Sequence, residues 1–276
     1  MTIPRRYPGI GRCIYCGALE ETHRLTDEHI MPDGLRGNQV LERASCDDCC
    51  RTINIFETKS LRGMLRAARI HSGFHSRKAK ERVSSLPITL VSPEGAREEL
   101  KKVEVPISDH PYVLGMPSYP SPRILVGLSP RPLHKRFVWC VQPAFQPDLD
   151  QRLARIADRL GPVTIRTEIL PPHEDFMRML AKIAHCAAIR RLHDSTFPKL
   201  RCYLPEVILG SNKFLAYYVG GEMRCSIPRK AEILETVITF RKAYRLGRTV
   251  RLAIISIDIF GPYGMPRYHV VVGEVA

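Results

Sequence analysis

The sequence contains no apolar run of membrane-spanning length, no internal repeat and no low-complexity tract. A membrane helix needs about 18 or more consecutive apolar residues, whereas the most apolar stretch, residues 252–260, is short and includes Asp258. No apolar segment follows the basic residues near the start, as a signal peptide would require. A glycine-rich phosphate-binding loop is also lacking. These absences predict a cytoplasmic protein with no membrane partner.

Acidic residues are few relative to basic ones. The 276 residues include 42 Lys and Arg against 28 Asp and Glu, which gives a formal net charge of +14. Such an excess favours a polyanionic partner, and nucleic acid is the commonest one. A basic but otherwise ordinary enzyme would have the same composition. The hydrophobic fraction of 44% is ordinary for a folded protein and sufficient for a large core.

The nine cysteines are unevenly distributed, since five of them lie between Cys13 and Cys50. Cys13 and Cys16 form one CxxC pair, Cys46 and Cys49 form a second, and 29 residues separate the two pairs. Clustered cysteines in a cytosolic chain more often bind metal or act in catalysis than form disulfides. A redox motif would explain one pair but not two. Four thiolates complete the tetrahedral shell of structural Zn²⁺, which we therefore predict here.

The segment between the two pairs contains a second pattern. Glu28 and His29 are followed by an apolar residue and a proline, then by a glycine pair and Asn38. The ordered motifs CIYCG, EHIMP, GLRGN and CDDC resemble the HNH, or ββα-metal, endonucleases whose finger is held by four cysteines. The resemblance covers residues 10–60. It implies a zinc-stapled ββα module that hydrolyses phosphodiester bonds.

The resemblance also implies roles for individual residues. His29 would be the general base, Glu28 a ligand of a catalytic divalent ion (Mg²⁺, Mn²⁺, Ni²⁺ or Zn²⁺), and Asn38 the asparagine that orients the base loop. The chemistry agrees, because a near-neutral histidine can take a proton from water and a carboxylate-bound ion can stabilise the developing charge. Adjacent strand residues point to opposite faces, so Glu28 would face the metal ion while His29 faces the water. Asn38 is equally well explained as a turn residue.

The residue after the last cysteine departs from the family pattern. Many family members have asparagine or histidine there as the second metal ligand, and this chain has Cys50. A thiolate is a poor ligand for Mg²⁺ but suits softer ions. Asn54 lies one helical turn further on the same face and is an alternative oxygen ligand, with Glu57 a turn beyond it. Cys50 is as well explained by simple burial as by ligation.

A helical pattern begins near Cys46, and its later part is strongly basic. Glu81 is the only acidic residue between Lys59 and Arg82. We predict that Arg62, Arg66 and Arg69 contact phosphates of double-stranded DNA, although a solvated helix face would have the same composition.

The chain changes character near residue 86. Strands are predicted at residues 87–92, 124–128, 136–141, 163–170, 213–221, 250–260 and 268–275, with helices at 148–160 and 173–194. We therefore predict an α+β protein with an HNH module at 1–82 and a larger mixed α+β domain at 83–276. The second domain would bind substrate or a protein partner.

The predicted function is metal-dependent endonucleolytic cleavage of nucleic acid, DNA in preference to RNA. The alternative is a zinc-finger protein with a degenerate HNH site that binds nucleic acid or another partner without cleavage.

Overall fold

The structure is a computed structural model that describes residues 4–74, 82–91, 100–132, 137–161, 164–166, 174–192, 194, 197–223, 228, 232–245 and 247–275. It is a mixed α+β fold with several small sheets. The α-helices of the described residues are α1 Asp47–Arg62, α2 Arg66–His71, α3 Leu149–Leu160, α4 Glu174–Arg191, α5 Pro205–Leu209 and α6 Leu215–Tyr218. The strands are β1 Arg5–Tyr7, β2 Leu25–His29, β3 Gln39–Cys46, β4 Ser85–Val91, β5 Leu100–Pro106, β6 Leu114–Ser118, β7 Val138–Gln142, β8 Thr164–Arg166, β9 Leu200–Cys202, β10 Val219–Gly221, β11 Leu234–Arg245, β12 Arg248–Ile259 and β13 Arg267–Val275.

The first structural unit is a small sheet followed by a helix. Strands β2 and β3 pair antiparallel, β1 lies parallel to the other edge of β3, and α1 begins directly after β3. Two acidic residues in the first turn of α1 and two basic ones in its last turn complement the helix dipole. Ile53 and Phe56 are buried on the inner face of α1. The order strand, strand, helix is therefore present in residues 25–62.

The largest sheet has the strand order β10-β13-β12-β11, and β9 also pairs with β13. Strand β12 contains an almost continuous apolar run, and its residues from Leu252 to Ile259 are all buried. A strand that is buried on both faces is expected to be apolar throughout rather than alternating. Helix α4 packs on β12 and β13 and covers one face of this sheet.

Two smaller groups of strands complete the described fold. The sheet β5-β4-β8 packs against α3 through a separate cluster of buried residues made of Ile88, Leu90, Val105 and Ile156. Strands β6 and β7 form an antiparallel pair.

Helix α4 is the central element, because both parts of the chain pack on it. Most of its side chains are buried, and it contacts α1 on one side and the large sheet on the other. A single hydrophobic cluster runs from Cys13 in the first unit to Val272 in β13. The core is thus continuous across residue 82, where we predict the domain boundary.

Two predicted strands differ in the structure. Residues 124–128 begin within a short 3₁₀ helix, Arg123–Val126, that starts after Pro122 and ends at Gly127 with φ 69°. Proline before a helix and a left-handed glycine after it are helix boundary signals that outweigh the β-branched composition. Residues 213–221 divide into α6 and β10, and the predicted strand 163–170 is described only at Thr164–Arg166.

Within the described residues, no helix is long and apolar enough to cross a bilayer.

Candidate metal and nucleic-acid site

Four cysteine side chains converge where β3 meets α1. Cys13 and Cys16 come from the loop between β1 and β2, Cys46 ends β3, and Cys49 lies in the first turn of α1. Their sulfur atoms all lie within 4.8 Å of one another, and the Sγ atoms of Cys16 and Cys46 are 3.6 Å apart. Tetrahedral zinc with Zn–S bonds of about 2.3 Å requires sulfur–sulfur distances of about 3.8 Å. The cluster is therefore compatible with a structural zinc site.

The electrostatics of the cluster favour a bound cation. Burial opposes ionisation of Cys13, but hydrogen bonds from the backbone N–H groups of Cys16, Cys46 and Tyr15 outweigh it and lower the pKa of Cys13. Burial raises the pKa of Cys49, and the negative charge of Cys13 raises it further. A second thiolate is thus costly until a positive ion balances the charge.

Glu28 and His29 end strand β2, opposite Leu41 and Val40 of β3. Glu28 is buried with a relative exposure of 7%, while His29 is partly buried and its Nδ1 atom lies inside the protein. The following loop is compact, because a Cβ atom at Gly37 would lie 1.9 Å from the Met31 carbonyl oxygen. Only glycine fits at this position of the predicted GLRGN motif.

Lys182 lies beside Glu28 and Glu57 in the space between β2 and α1, the β2–α1 cleft, where no motif of the sequence predicts it. The Lys182 ammonium, which comes from α4, lies 2.8 Å from Oε1 of Glu28 and 2.9 Å from Oε1 of Glu57. It also donates a hydrogen bond to the backbone carbonyl of His29, and its side chain is fully buried. One signal was present in the sequence: Lys182 is the only charged residue between Met179 and Ile189, in a run that otherwise forms core.

The predicted ligands of a catalytic ion do not fit a divalent cation in this arrangement. Glu28 already pairs with an ammonium group, which repels a second cation. Burial raises the pKa of Cys50, and the charge of Glu28 adds to this shift, so the neutral thiol is favoured. Among the described residues, only the four cysteines form a group of three or more His, Cys, Asp or Glu side chains spaced to hold a metal.

Cys50 and Asn54 lie together on one face of α1, as their spacing predicts. The Asn54 amide donates a hydrogen bond from Nδ2 to the Cys50 sulfur, with a distance of 3.4 Å. Cys50 is partly buried and Asn54 is exposed. Glu57, which the sequence suggested as a further ligand, lies a turn beyond Asn54 and pairs with Lys182 instead.

Asn38 lies on the surface just before β3. Its backbone carbonyl accepts a hydrogen bond from the Arg5 N–H at 2.7 Å, which helps to pair β1 with β3. Within the described part of the chain, its side-chain amide has no hydrogen-bond partner. The observed contact of Asn38 is thus a backbone contact, and its catalytic role remains a prediction.

The three arginines predicted to contact phosphates have different environments. Arg69 donates hydrogen bonds to the backbone carbonyls of Gly34 and Leu61, and so connects α2 to the loop after β2. Arg62 and Arg66 make no ion pair with described residues and face a cavity of about 320 Å³. The basic residues at 75–81 lie outside the described residues.

The cavity near Arg62 and Arg66 combines positive charge with aromatic surface. Its described walls also include Lys102, Tyr112 and Trp139, and they contain no acidic side chain. Aromatic rings beside cations are the usual surface for unpaired bases and phosphates of nucleic acid. The cavity therefore has the positive charge and the aromatic surface that such a ligand would require.

Comparisons of the chain with family profiles, with curated proteins and with solved structures gave no match.

Proposed function

We propose that this protein is a ββα-type nuclease that binds nucleic acid, DNA in preference to RNA, and hydrolyses phosphodiester bonds. The carrying observation is the Glu28–His29 pair at the end of β2, in a strand–strand–helix unit that brings four cysteines together. The net charge of +14 and the cavity beside Arg62 and Arg66 support a polyanionic substrate. Zn²⁺ is the ion proposed for the cysteine cluster, and the cytoplasm is the proposed compartment.

His29 is the proposed general base. It lies next to a buried carboxylate–ammonium cluster that immobilises its backbone carbonyl. A base held in this way takes the proton from a water molecule as that water attacks the phosphorus atom, the bond from phosphorus to the 3′ oxygen breaks, and the leaving oxygen takes a proton from solvent. The region after residue 82 is proposed to hold substrate or a protein partner, since its cavity residues Tyr112 and Trp139 lie beside Arg62 and Arg66.

A second candidate is a nucleic-acid-binding protein that does not cleave. The observation that favours it is the ion pair between Lys182 and Glu28, because the carboxylate expected to bind a catalytic metal already has a cationic partner. In this alternative the zinc cluster and the basic surface still bind nucleic acid.

Plasmid cleavage separates the two candidates. Wild-type protein is incubated with plasmid without added metal and with Mg²⁺, Mn²⁺, Ni²⁺ or Zn²⁺, beside His29→Ala and the control His23→Ala, which alters an exposed histidine of the same unit. We expect wild type and the control to nick the plasmid. His29→Ala should lose about a hundredfold in rate while retaining DNA binding in a gel-shift assay. Binding without cleavage in every condition would favour the second candidate, and absence of binding would contradict both.

A further inference from the structure

Lys182 has three oxygen neighbours in the cleft between β2 and α1. Its ammonium donates a hydrogen bond to the carbonyl of His29 and forms ion pairs with Oε1 of Glu28 and Oε1 of Glu57. The Lys182 side chain has no exposed surface, and the Glu28 and Glu57 side chains are 8% and 14% exposed. The cleft therefore contains a buried cation that the protein itself supplies.

The carboxylate pair needs this positive charge. Two buried carboxylates repel each other, and each is costly to ionise without a cation. Burial by itself lowers the pKa of Lys182, but the charges of Glu28 and Glu57 raise it above its ordinary value, so the ammonium persists at neutral pH. A divalent ion at the same place would have to displace a bound cation rather than fill a negative site.

The lysine is held by the whole of α4. Near the cysteine cluster, His185 donates a hydrogen bond from Nε2 to the Ile14 carbonyl at 2.8 Å. One helical turn further, Arg190 donates a hydrogen bond to Gln39 Oε1 at 2.6 Å. These contacts and those of Lys182 all join α4 to the first unit.

We infer that Lys182 is the resident cation of the β2–α1 cleft and that it takes the place a divalent metal ion would otherwise occupy between Glu28 and Glu57. It is a positioning residue, because it fixes the Glu28 carboxylate and the His29 backbone and has no surface with which to touch substrate. The inference rests on the proposed function only in treating this cleft as the reaction site. Its test uses cation binding, which does not depend on cleavage.

The test is Mn²⁺ binding by zinc-loaded, full-length protein, followed by calorimetry and thermal unfolding. Wild type should bind no Mn²⁺ at the cleft at millimolar concentration. Lys182→Met, which keeps an unbranched side chain one atom shorter and removes the charge, should melt at a lower temperature and should bind Mn²⁺ between the two carboxylates. Saturating Mn²⁺ should then raise its Tm by about 5 °C and leave the wild-type Tm unchanged.

Two controls isolate the charge of the cleft. Lys59→Met removes an exposed lysine that also joins α1 to α4, through Asp175 at 3.6 Å, and should not create an Mn²⁺ site. The triple variant Glu28→Gln/Glu57→Gln/Lys182→Met has no charge in the cleft and should be insensitive to Mn²⁺. It also reports whether α4 still docks if Lys182→Met alone fails to fold.

Two outcomes would overturn the inference. One is Mn²⁺ binding by wild type that is lost in Glu28→Gln, since the metal would then coexist with Lys182. The other is a folded Lys182→Met protein that Mn²⁺ neither binds nor stabilises. An Mn²⁺ site created by Lys182→Met in a protein that never cleaves DNA would support the inference and count against the proposed nuclease function.

Discussion

Two anionic clusters lie along the same helix, and their charges are balanced in different ways. The four cysteines surround the start of α1, and the main influences on the pKa values of Cys13 and Cys49 are burial, backbone N–H groups and one another. Glu57 lies further along α1 and shares the ammonium of Lys182 with Glu28, which is at the end of β2. A metal ion in the first cluster would come from solution, whereas α4 supplies the cation of the second.

The two clusters should therefore stabilise the first unit in different ways. The thiol cluster brings together a strand end, a loop and a helix turn, so a metal bound there would stabilise the start of α1. The carboxylate cluster makes the middle of α1 depend on the docking of α4, which carries Lys182. Removing either cation should therefore affect different contacts of the same unit.

Zinc removal should have the largest effect on the stability of the first unit. Zinc binding in small finger units contributes on the order of 10 kcal/mol, so a strong chelator should unfold residues 4–74 and abolish their hydrogen-exchange protection. Elemental analysis of protein prepared without chelator should give one zinc per chain. Cys16→Ser should lose the metal.

Cys202→Ser is the control for zinc removal, because Cys202 lies in β9, away from the cluster, and should keep zinc and stability. Freshly prepared protein without zinc, or a melting temperature that the chelator leaves unchanged, would contradict a structural metal. The first cluster would then resemble the second in needing no external cation.

The sequence was informative about the site where the interacting residues are close in the chain. Each CxxC pair is local, and the tetrahedral preference of zinc joins the two pairs over 29 residues, so the cluster could be predicted. The shared face of Cys50 and Asn54 follows from helical spacing alone. Lys182 lies 153 residues from His29, and no spacing rule connects them.

The fold shows the same limit. The buried strands β12 and β13 were predicted because their apolar runs are long. Strand β11 was not predicted, since it is a largely half-exposed strand whose position is set by pairing with β12. The continuity of the core across residue 82 also depends on the packing of α4, which local pattern does not specify.

A smaller effect, on the pH dependence of stability, should come from the contact between α2 and the following chain. His71 of α2 and His110 lie 3.1 Å apart through Nε2 and Nδ1, and Tyr112 stacks on His71. Burial, followed by the positive potential of His110 and Arg152, lowers the pKa of His71 to about 4. Its unfolded pKa is about 6.5, so between these values the unfolded chain binds more protons. Stability should fall as the pH decreases from 7 towards 4, by about 1 kcal/mol at pH 5 after allowance for partial exposure.

Urea unfolding at pH 7, 6 and 5 measures this loss. His71→Gln should unfold with a shallower pH dependence, and His23→Gln, which changes an exposed histidine, should keep the wild-type slope. An identical slope in all three proteins would show that the histidine pair does not couple folding to pH. If the slopes differ as expected, the neutral contact between His71 and His110 joins α2 to the following chain, in addition to the charged contacts of Lys182.

Substitution of the surface arginines should have the smallest effect on stability and the most direct effect on DNA binding. Arg62 and Arg66 face the cavity without an ion-pair partner among the described residues, whereas Arg69 is hydrogen-bonded to the backbone. If both cavity arginines contact phosphates, Arg62→Gln/Arg66→Gln should weaken DNA binding and reduce the slope of log K against log salt by about 1.8. Its Tm should remain unchanged.

Arg69→Gln should behave in the opposite way, because the lost contacts are internal: its Tm should fall while its salt slope stays close to that of wild type. Arg201→Gln/Lys213→Gln removes two exposed charges near the large sheet and controls for net charge alone. Binding titrations at four salt concentrations give the slopes. An unchanged slope in the Arg62 and Arg66 variant would mean that these charges only face solvent, and the bound phosphates would have to be sought elsewhere on the basic surface.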